Sequence, residues 1–247
     1  MMKKLCLALS LLLALALLAG CGETEKKDDA VKVSTVDELL AAIAPDTVIE
    51  LAPGTYDLST ASDYNTESDS AFYSWDEVFD GVQLKIKSVT NLTIRAASDN
   101  PTETVITAVP RYANVMYFVK CENITVSGIT AGHTVEPGAC SGGVLSYDAC
   151  KNISVESCRL YGCGTIGIEA MRCDVLSAKG CEIYDCSYEG VSIYETTNAS
   201  FENCSIHDID GPCVSAFEGS GFTWNGTAME EGVYNLNSDG SLQLLAG

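Results

Sequence analysis

The chain has 247 residues, and its 14 Lys and Arg stand against 34 Asp and Glu, which gives a formal net charge of −20 at pH 7. A surface with this charge repels nucleic acid and anionic lipid, so the composition argues against a nucleic-acid partner. The length is sufficient to bury the core of one domain.

The first 20 residues have the layout of a secretory signal peptide, with two lysines followed by an apolar run. The apolar part, Leu5 to Gly20, is shorter than the ~20 residues that a membrane span needs. It leads into "LAGC", which resembles the lipobox of bacterial lipoproteins. The resemblance implies that Cys21 carries a lipid, and that the protein is exported and anchored to the cell membrane, facing outside the cytoplasm. Residues 21–30 are polar and charged and predict a flexible tether.

Residues 31–45 predict a short N-terminal helix. Thr35 and Glu38 have the spacing of a capping box, and Pro45 ends the pattern. Four apolar residues fall on one face of this helix: Val36, Leu39, Leu40 and Ile43. We expect the helix to cap the open end of the fold that follows, because an exposed strand edge promotes aggregation.

The segment 59–81 mixes Asp and Glu with five aromatic residues, among them Trp75. Two interpretations are open. The aromatic side chains could fold this long segment onto the wall of the domain. Alternatively, they could form a sugar-stacking surface in which Trp75 contacts a substrate and the carboxylates hold Ca²⁺. No other cofactor is indicated.

A repeat with a 23-residue step dominates the centre of the chain. The step superposes three cysteines, Cys158, Cys181 and Cys204. Within each unit apolar and polar residues alternate, which is typical of short strands, and Asn and Gly residues between them indicate turns. Equivalent residues stack in one direction if the chain coils and rises by one strand spacing, ~4.8 Å, per repeat. The pattern therefore predicts an all-β solenoid.

Residues 46–218 resemble the right-handed parallel β-helix family, which includes pectate-lyase-like proteins. The resemblance rests on the repeated segments "NLTI", "NITV", "NISV" and "NASF", together with "GTIGIEA" and "EGVSIYE". It implies a right-handed parallel β-helix and an extracellular polysaccharide as partner. The opening "TVIELAPGTYDL" is similar to that of polysaccharide-degrading β-helix proteins. Residues 219–247 lose the period and predict a C-terminal cap.

The stacked cysteines predict free thiols. Equivalent side chains of successive coils point the same way, whereas a disulfide needs Cβ atoms about 3.8 Å apart and turned toward each other. We expect three ladders of buried thiols: Cys158 with Cys181 and Cys204, Cys150 with Cys173, and Cys163 with Cys186. Cys140 and Cys213 fall outside these ladders, and their redox state is open.

The outward Lys and Arg residues of the regular coils each have an acidic neighbour one coil away. Arg159 is aligned with Glu182, and Arg172 with Glu195. This arrangement favours charge pairs. It argues against a polysaccharide lyase, which needs an unpaired base and a cation at the substrate carboxylate.

Two segments carry candidate catalytic acids and bases. His133 and Glu136 begin the loop "HTVEPGACSGG", and His207, Asp208 and Asp210 lie in "HDID". A glycoside hydrolase needs two carboxylates on either side of the glycosidic bond, which "HDID" could supply. The same segment also suits a polar turn between coils, and His133 suits an ordinary loop histidine. Catalysis, as a polysaccharide lyase or a glycoside hydrolase, therefore stays open.

Aromatic residues on the outside of the coils stack at the same 23-residue step. Tyr161 and Tyr184 form one row with His207, and Tyr194 and Phe217 form a second with Met171. Such rows either offer a surface on which sugar rings lie or stabilise the sheet with no ligand. We predict an envelope lipoprotein that interacts with extracellular polysaccharide, with binding favoured over cleavage. The alternative is a non-catalytic structural or adhesive module for a protein partner.

Overall fold

The protein is a parallel β-helix, as predicted. The computed structural model describes residues 30–66, 68, 70–135, 140–162 and 165–246. In these residues the chain winds through sheets A, B and C in turn, so that each coil adds one strand to each sheet. The predicted signal peptide (1–20), the lipidation site Cys21 and the tether as far as residue 29 lie outside the described residues.

The three sheets run along the solenoid axis. Sheet A contains, in spatial order, β1 (Val31–Val33), β2 (Thr47–Leu51), β6 (Thr90–Ala96), β9 (Glu122–Ser127), β12 (Lys151–Glu156), β15 (Asp174–Lys179), β18 (Thr197–Glu202), β21 (Phe222–Trp224) and β22 (Thr227–Met229). Sheet B contains β3 (Gly54–Asp57), β7 (Thr104–Ala108), β10 (Thr130–His133), β13 (Arg159–Tyr161), β16 (Glu182–Tyr184) and β19 (Ser205–His207). Sheet C contains β4 (Tyr73–Val78), β5 (Gly81–Lys87), β8 (Met116–Val119), β11 (Leu145–Asp148), β14 (Ile166–Met171), β17 (Glu189–Tyr194), β20 (Val214–Phe217), β23 (Gly232–Leu236) and β24 (Leu242–Ala246).

The N-terminal helix α1 spans Val36–Ala42. The hydroxyl of Thr35 accepts a hydrogen bond from the Glu38 N–H at 3.2 Å, as the capping box predicts. The helix is shorter than the predicted segment 31–45, because β1 precedes it as a strand paired with β2. Its buried face lies against β1 and β2 at the start of the solenoid. No helix among the described residues is long and apolar enough to cross a membrane.

Two segments outside the regular repeat contain strands that the sequence pattern does not indicate. Within the predicted loop 59–81, β4 pairs antiparallel with β5. Beyond residue 218, β21 continues the parallel register by pairing with β18, and β22, β23 and β24 then add antiparallel strands. Phe222 of β21 pairs with Ala199, 23 residues earlier, so the period extends beyond the predicted end at residue 218. The strands β4, β22, β23 and β24 lie outside the period, and their pairing depends on contacts that no repeat in the sequence marks.

The core lies inside the coils, where equivalent apolar residues stack on one another. Leu160, Ile183 and Ile206 are directly paired in sheet B, and none is more than 3% exposed. Burial of side chains of this size stabilises the fold by roughly 1.5–3 kcal/mol each. Every coil contributes residues to a single apolar cluster that runs along the solenoid.

One thiol ladder consists of Cys158, Cys181 and Cys204, which are free cysteines in the predicted register. Their Sγ atoms donate to carbonyl oxygens of the preceding coil over 3.3–3.6 Å. The hydrogen bond to Cys158, together with burial, raises the pKa of Cys181 to about 12. This thiol is therefore protonated and poorly reactive at neutral pH. Cys204 is only half-buried, because the strand after it, β19, is the last one of sheet B.

A second ladder joins Cys121, Cys150 and Cys173, and the next coil continues it with Thr196. The Cys121 N–H donates to the Cys150 Sγ at 3.3 Å, and the Cys173 N–H donates to the Thr196 Oγ1 at 3.3 Å. The position thus selects a small side chain that accepts a hydrogen bond from the coil before it, which cysteine and threonine both supply. Cys163, the predicted partner of Cys186, lies outside the described residues. Cys213 is a half-buried thiol.

A ladder of amides runs along the outside, at the turn that leads into sheet A. Asn91, Asn123 and Asn152 have left-handed backbone conformations, with φ between 53° and 57°. The Nδ2 group of each donates to the Oδ1 atom of the equivalent residue one coil earlier, over 2.6–2.8 Å. Val175 occupies the next position with φ 61°. A β-branched residue is strained in this conformation and cannot extend the ladder.

We expect Val175→Asn to raise the free energy of unfolding by about 1 kcal/mol, because asparagine relieves the left-handed strain and can bond to Asn152. Urea titration of the full chain, followed by circular dichroism, measures the change. Val175→Ala is the matched control, since it removes the branch without adding an amide. An asparagine variant no more stable than the alanine variant would contradict a stabilising role for the amide ladder.

Candidate functional site

The most regular side-chain array on the surface is a row on the outer face of sheet B. Strands β13, β16 and β19 place Tyr161, Tyr184 and His207 in direct register. The two tyrosine rings are 5.7 Å apart and 20° from parallel, and the rings of Tyr184 and His207 are 5.5 Å apart and 10° from parallel. These three residues are referred to below as the aromatic row. Their stacking follows the predicted register, and their role in substrate binding stays a prediction.

Neighbouring residues set where the aromatic row begins and ends. Gly132 occupies the equivalent position in the coil before Tyr161. A Cβ atom at Gly132 would lie 2.3 Å from the Tyr161 carbonyl oxygen and 2.7 Å from its ring, so only glycine permits this close approach of the two coils. At the other end His207 lies on β19, which is the edge strand of sheet B. The row therefore covers three coils, and its side chains are half-buried or exposed.

A chain of charged groups holds the aromatic row in place. The Nε atom of Arg159 lies 2.5 Å from Glu182, and its guanidinium lies 5.1 Å from the centre of the Tyr184 ring. Glu182 also contacts the Nε2 atom of His207 at 3.2 Å, and Asp208 contacts its Nδ1 atom at 2.7 Å. The Arg159 guanidinium lowers the pKa of Glu182. This carboxylate therefore stays ionised beside the row.

The structure brings His207 and Asp208 together, as the segment "HDID" suggests. The hydrogen bond to Asp208, followed by that to Glu182, raises the pKa of His207. Both ring nitrogens of His207 are engaged by carboxylates, so neither is free to take a proton from a substrate. Asp210 is exposed and lines a small hollow with Asp185 and Asp208. The groups around His207 therefore position it and do not make it a general base.

His133 lies on β10 and is 3% exposed. Its Nε2 group donates to the Ala113 carbonyl at 2.8 Å, and burial lowers the pKa of the ring. No described residue bonds to its Nδ1 atom. Glu136, the other candidate in this loop, lies outside the described residues, and Cys140 lines a separate surface groove. A buried, neutral histidine in this position is shielded from a polymeric substrate.

The second predicted row lies on a different sheet. Met171, Tyr194 and Phe217 are paired in register on the outer face of sheet C. Tyr194 and Phe217 are 37% and 39% exposed. Within the described part of the chain, no ring contact joins these two side chains, in contrast to the aromatic row. The two rows therefore form separate surfaces.

Trp75 lies on β4 and packs edge-on against Tyr64, with 5.1 Å between ring centres. Its Nε1 group donates to Asp63 at 3.0 Å, and Asp63 also accepts from the Tyr73 hydroxyl at 2.8 Å. These contacts fold the segment onto the solenoid wall, as one interpretation of 59–81 requires. Trp75 also lines an open, polar groove of about 430 Å³, so sugar contact stays a prediction.

The Ca²⁺ prediction finds no preformed site in the part of the chain that is described. Two carboxylates of the segment 59–81 are engaged with protein groups: Asp63 with Trp75 and Tyr73, and Asp76 with Lys85 at 2.5 Å. Across residues 30–246, apart from 67, 69, 136–139, 163 and 164, no group of three or more His, Cys, Asp or Glu side chains could hold a metal ion.

The contacts of two acidic residues, Glu182 and Glu189, are not apparent from the sequence. The register indicates Glu182 only as a partner of Arg159, but it also contacts His207 one coil further on, because carboxylate and imidazole sit on neighbouring strands two residues apart. Glu189 is 6% exposed and accepts a hydrogen bond from the Ser215 hydroxyl at 2.9 Å, and burial raises its pKa. The equivalent residue one coil earlier is Ile166, so the repeat does not indicate a buried carboxyl group at this position.

Arg172 shows how local geometry changes a predicted pairing. Its guanidinium contacts Asp148 of the preceding coil, whereas the sequence register suggests Glu195. Arg159 and Lys179 contact the predicted partners Glu182 and Glu202. Arg159, Arg172 and Lys179 thus each contact an acidic residue of a neighbouring coil, and the arginine side chains reach in either direction along the axis.

The family comparison agrees with this architecture. The sequence profile of the family described as right handed beta helix region matches residues 80–240. Among solved structures, a candidate glycosyl hydrolase from Parabacteroides merdae is 13% identical, with a TM-score of 0.40, covering 62% of this chain and 81% of its own. A rhamnogalacturonan lyase is also 13% identical, with a TM-score of 0.43, covering 75% of this chain and 56% of its own. No curated protein sequence matches. These similarities concern the fold and assign no activity.

The chain contains two histidines, and we expect an NMR titration to show two imidazole signals displaced in opposite directions from the ordinary pKa of about 6.5. Asp208 and Glu182 raise the pKa of His207, whereas burial lowers that of His133. Asp208→Asn should lower the pKa of His207 and leave that of His133 unchanged. Two signals that titrate together near pH 6.5 would contradict these environments.

The raised pKa of His207 also gives an expected dependence of the unfolding free energy on pH. Because the folded-state pKa of His207 is raised, its contribution to stability is complete below the unfolded-state pKa of about 6.5 and is lost as pH rises through the folded-state value. Unfolding free energies measured from pH 6 upward should therefore fall less steeply for His207→Gln than for the natural chain. Equal slopes would show that the ionic contacts of His207 contribute nothing.

Proposed function

The chain belongs to the right-handed β-helix family, and we propose that this member binds an extended polysaccharide along the aromatic row. The observation that carries the proposal is the continuous stack of Tyr161, Tyr184 and His207 at ring spacings of 5.7 and 5.5 Å. Rings stacked face to face at this spacing turn their edges outward, and together they form a narrow aromatic strip parallel to the solenoid axis.

A sugar chain matches this strip in shape and chemistry. The C–H groups of sugar rings can pack against the outward edges of the aromatic rings, and sugar hydroxyls can form hydrogen bonds with polar groups beside the strip. The carboxylates of Glu182 and Asp208 lie beside the His207 end of the strip. The contacts from Arg159 and Glu182 fix Tyr184 and His207 before a ligand arrives, which reduces the entropy lost on binding.

The arrangement of acids and bases supports binding over cleavage. A lyase needs an unpaired base and a cation, but Arg159 is engaged by Glu182, and His207 is engaged at both ring nitrogens. A hydrolase needs one protonated and one ionised carboxyl group on opposite sides of the scissile bond. Glu182 and Asp208 instead lie on opposite sides of an imidazole. We therefore assign these groups to holding the surface in shape.

The proposed location follows from the N-terminal sequence. The apolar segment 1–20 and the lipobox-like "LAGC" support export and lipid attachment at Cys21. The polar residues up to 30 would separate the β-helix from the membrane surface. The protein would then hold extracellular polysaccharide close to the cell envelope.

A protein partner is the second candidate function, and exposed apolar side chains favour it. Phe79 is 86% exposed and Tyr188 is 60% exposed. Tyr188 lines a groove of about 520 Å³ together with Tyr112 and Ile166. Clustered apolar groups on a surface are typical of interaction sites. In this function the β-helix is a non-catalytic structural or adhesive module.

We expect Tyr184→Ala to weaken polysaccharide binding about tenfold, because it removes the central ring and breaks the row. Affinity electrophoresis of the full chain in detergent, through a series of gels that each contain one neutral or acidic polysaccharide, measures binding to every polymer separately. Tyr194→Ala tests the second row in the same gels. Phe79→Ala is the matched control, as an exposed aromatic residue away from both rows.

Three results of this experiment would distinguish the candidates. Loss of retardation for Tyr184→Ala alone supports the aromatic row. Equal retardation of all four proteins by a binding polymer would contradict the proposed surface. Indifference of the natural chain to every polymer, with a protein partner whose capture depends on Phe79 or Tyr188, would favour the adhesive function.

We expect Cys21→Ala to abolish membrane attachment of the protein without changing its fold, because the substitution removes the acylated side chain. Metabolic labelling with a radioactive fatty acid in a bacterial host, followed by fractionation, tests this. Cys6→Ala, within the predicted signal peptide, is the matched control and should stay labelled. Labelling that survives in Cys21→Ala would contradict the proposed lipidation site.

A further inference from the structure

The aromatic row ends at His207, and a groove opens directly beyond it. The strand that carries His207 is the last strand of sheet B. The groove has a volume of about 380 Å³ and is lined by His207 and Asp208, by the turn that follows them, and by the segment 235–238. This volume is at the small end of the range for ligand pockets, roughly 300–1,000 Å³, and suits a single sugar ring with its nearest water.

The segment 235–238 blocks the direction in which the aromatic row runs. Its first two residues end β23, which pairs antiparallel with β20, and its last two begin the turn into β24, which returns along β23. Among the described residues no strand follows β19 in sheet B, and the segment 235–238 lines the groove opposite His207. A glycan on the row would meet this segment beyond His207, where no further ring follows.

Polar groups in the groove suit sugar hydroxyls. The Oδ1 atom of Asn235 accepts the Cys213 N–H at 3.3 Å, and the Nδ2 group of Asn237 donates to the Ser241 hydroxyl at 3.0 Å, which orients both amides. In the described part of the chain, these bonds leave the Nδ2 group of Asn235, the Oδ1 atom of Asn237 and the Ser238 hydroxyl available. Such groups donate to and accept from sugar hydroxyls without carrying charge.

The charge around the row and the groove disfavours acidic sugars. Asp185, Asp208 and Asp210 line the adjoining hollow. The basic side chains of the row, Arg159 and His207, are already paired with carboxylates. No Lys or Arg follows Lys179 in the sequence. A uronate placed here would add its charge to these carboxylates and to the aspartates of the hollow, and the repulsion would weaken its binding.

We propose that the groove beyond His207 binds the terminal residue of an uncharged glycan, whose following residues lie on the aromatic row. The proposal rests on the proposed glycan-binding function and deepens it in two ways. It assigns a chemical class to the ligand. It also states that the protein recognises the ends of glycan chains and not their interiors.

The test compares long and partially hydrolysed chains of the same neutral polysaccharide. Glucan, xylan, mannan and galactan are each prepared in both forms, with polygalacturonate as the acidic comparison. The full chain, in detergent, is first bound to an immobilised neutral polymer that retards it. Each soluble polysaccharide then competes for the protein at equal mass concentration. Recognition of ends predicts that potency rises in proportion to the number of chain ends. Recognition of chain interiors predicts equal potency at equal mass.

Ser238→Trp is the matching variant, because an indole at this exposed position of the turn fills the groove and leaves the aromatic row untouched. It should abolish the preference for hydrolysed chains while long chains still bind. Thr227→Trp places the same side chain on an exposed position of β22 and should behave as the natural chain. Circular dichroism checks that both variants fold. The chain-length comparison needs no variant, so a misfolded Ser238→Trp leaves the proposal testable.

The outcomes separate the two proposals. Binding that depends on Tyr184 but is equal for long and hydrolysed chains would overturn the end-binding groove and leave the aromatic row intact. Polygalacturonate that competes as well as the best neutral polymer would overturn the assignment to uncharged glycans. No binding to any polymer would overturn the proposed function, and the groove with it. Preference for hydrolysed neutral chains that Ser238→Trp removes supports the proposal.

Discussion

The parallel hydrogen-bonded register between coils is the constraint on which the rest of this structure depends. Once strands of successive coils pair without a shift, equivalent residues lie directly above one another at about 4.8 Å. Residues at one position of successive coils therefore form a column and share a similar environment. Inside, this produces the stack of Leu160, Ile183 and Ile206; at the turns, it produces ladders of thiols and amides.

The same constraint builds the candidate site. A single aromatic residue on a strand is an ordinary surface feature, whereas three in one column form a strip with the direction of the solenoid axis. Charge pairs arise in the neighbouring column, where Arg159 and Glu182 face each other across one strand spacing and reach the rings beside them. Contacts between coils therefore make the site rigid. The site ends where the column stops, at Gly132 and at the edge strand β19.

The sequence predicts what the repeat encodes. The 23-residue step is sufficient to predict the stacking of Tyr161, Tyr184 and His207, and the thiol ladder through Cys181, because register is a property of spacing alone. It is insufficient where the spacing breaks, as at β4, or where a side chain reaches sideways, as when Glu182 contacts His207. Burial of His133 depends on loops of other coils, which no local pattern reveals.

Removing one complete coil tests the register most directly. Deleting residues 173–195, one step of 23 residues, joins Arg172 to Thr196, the residue that occupies the position of Cys173 one coil later. Deleting 173–194 removes one residue fewer and shifts every later side chain by one position. In urea, we expect the first variant to unfold in one cooperative transition, with an m-value slightly below that of the natural chain, and the second to lose that transition. Equal stability of the two variants would contradict the account.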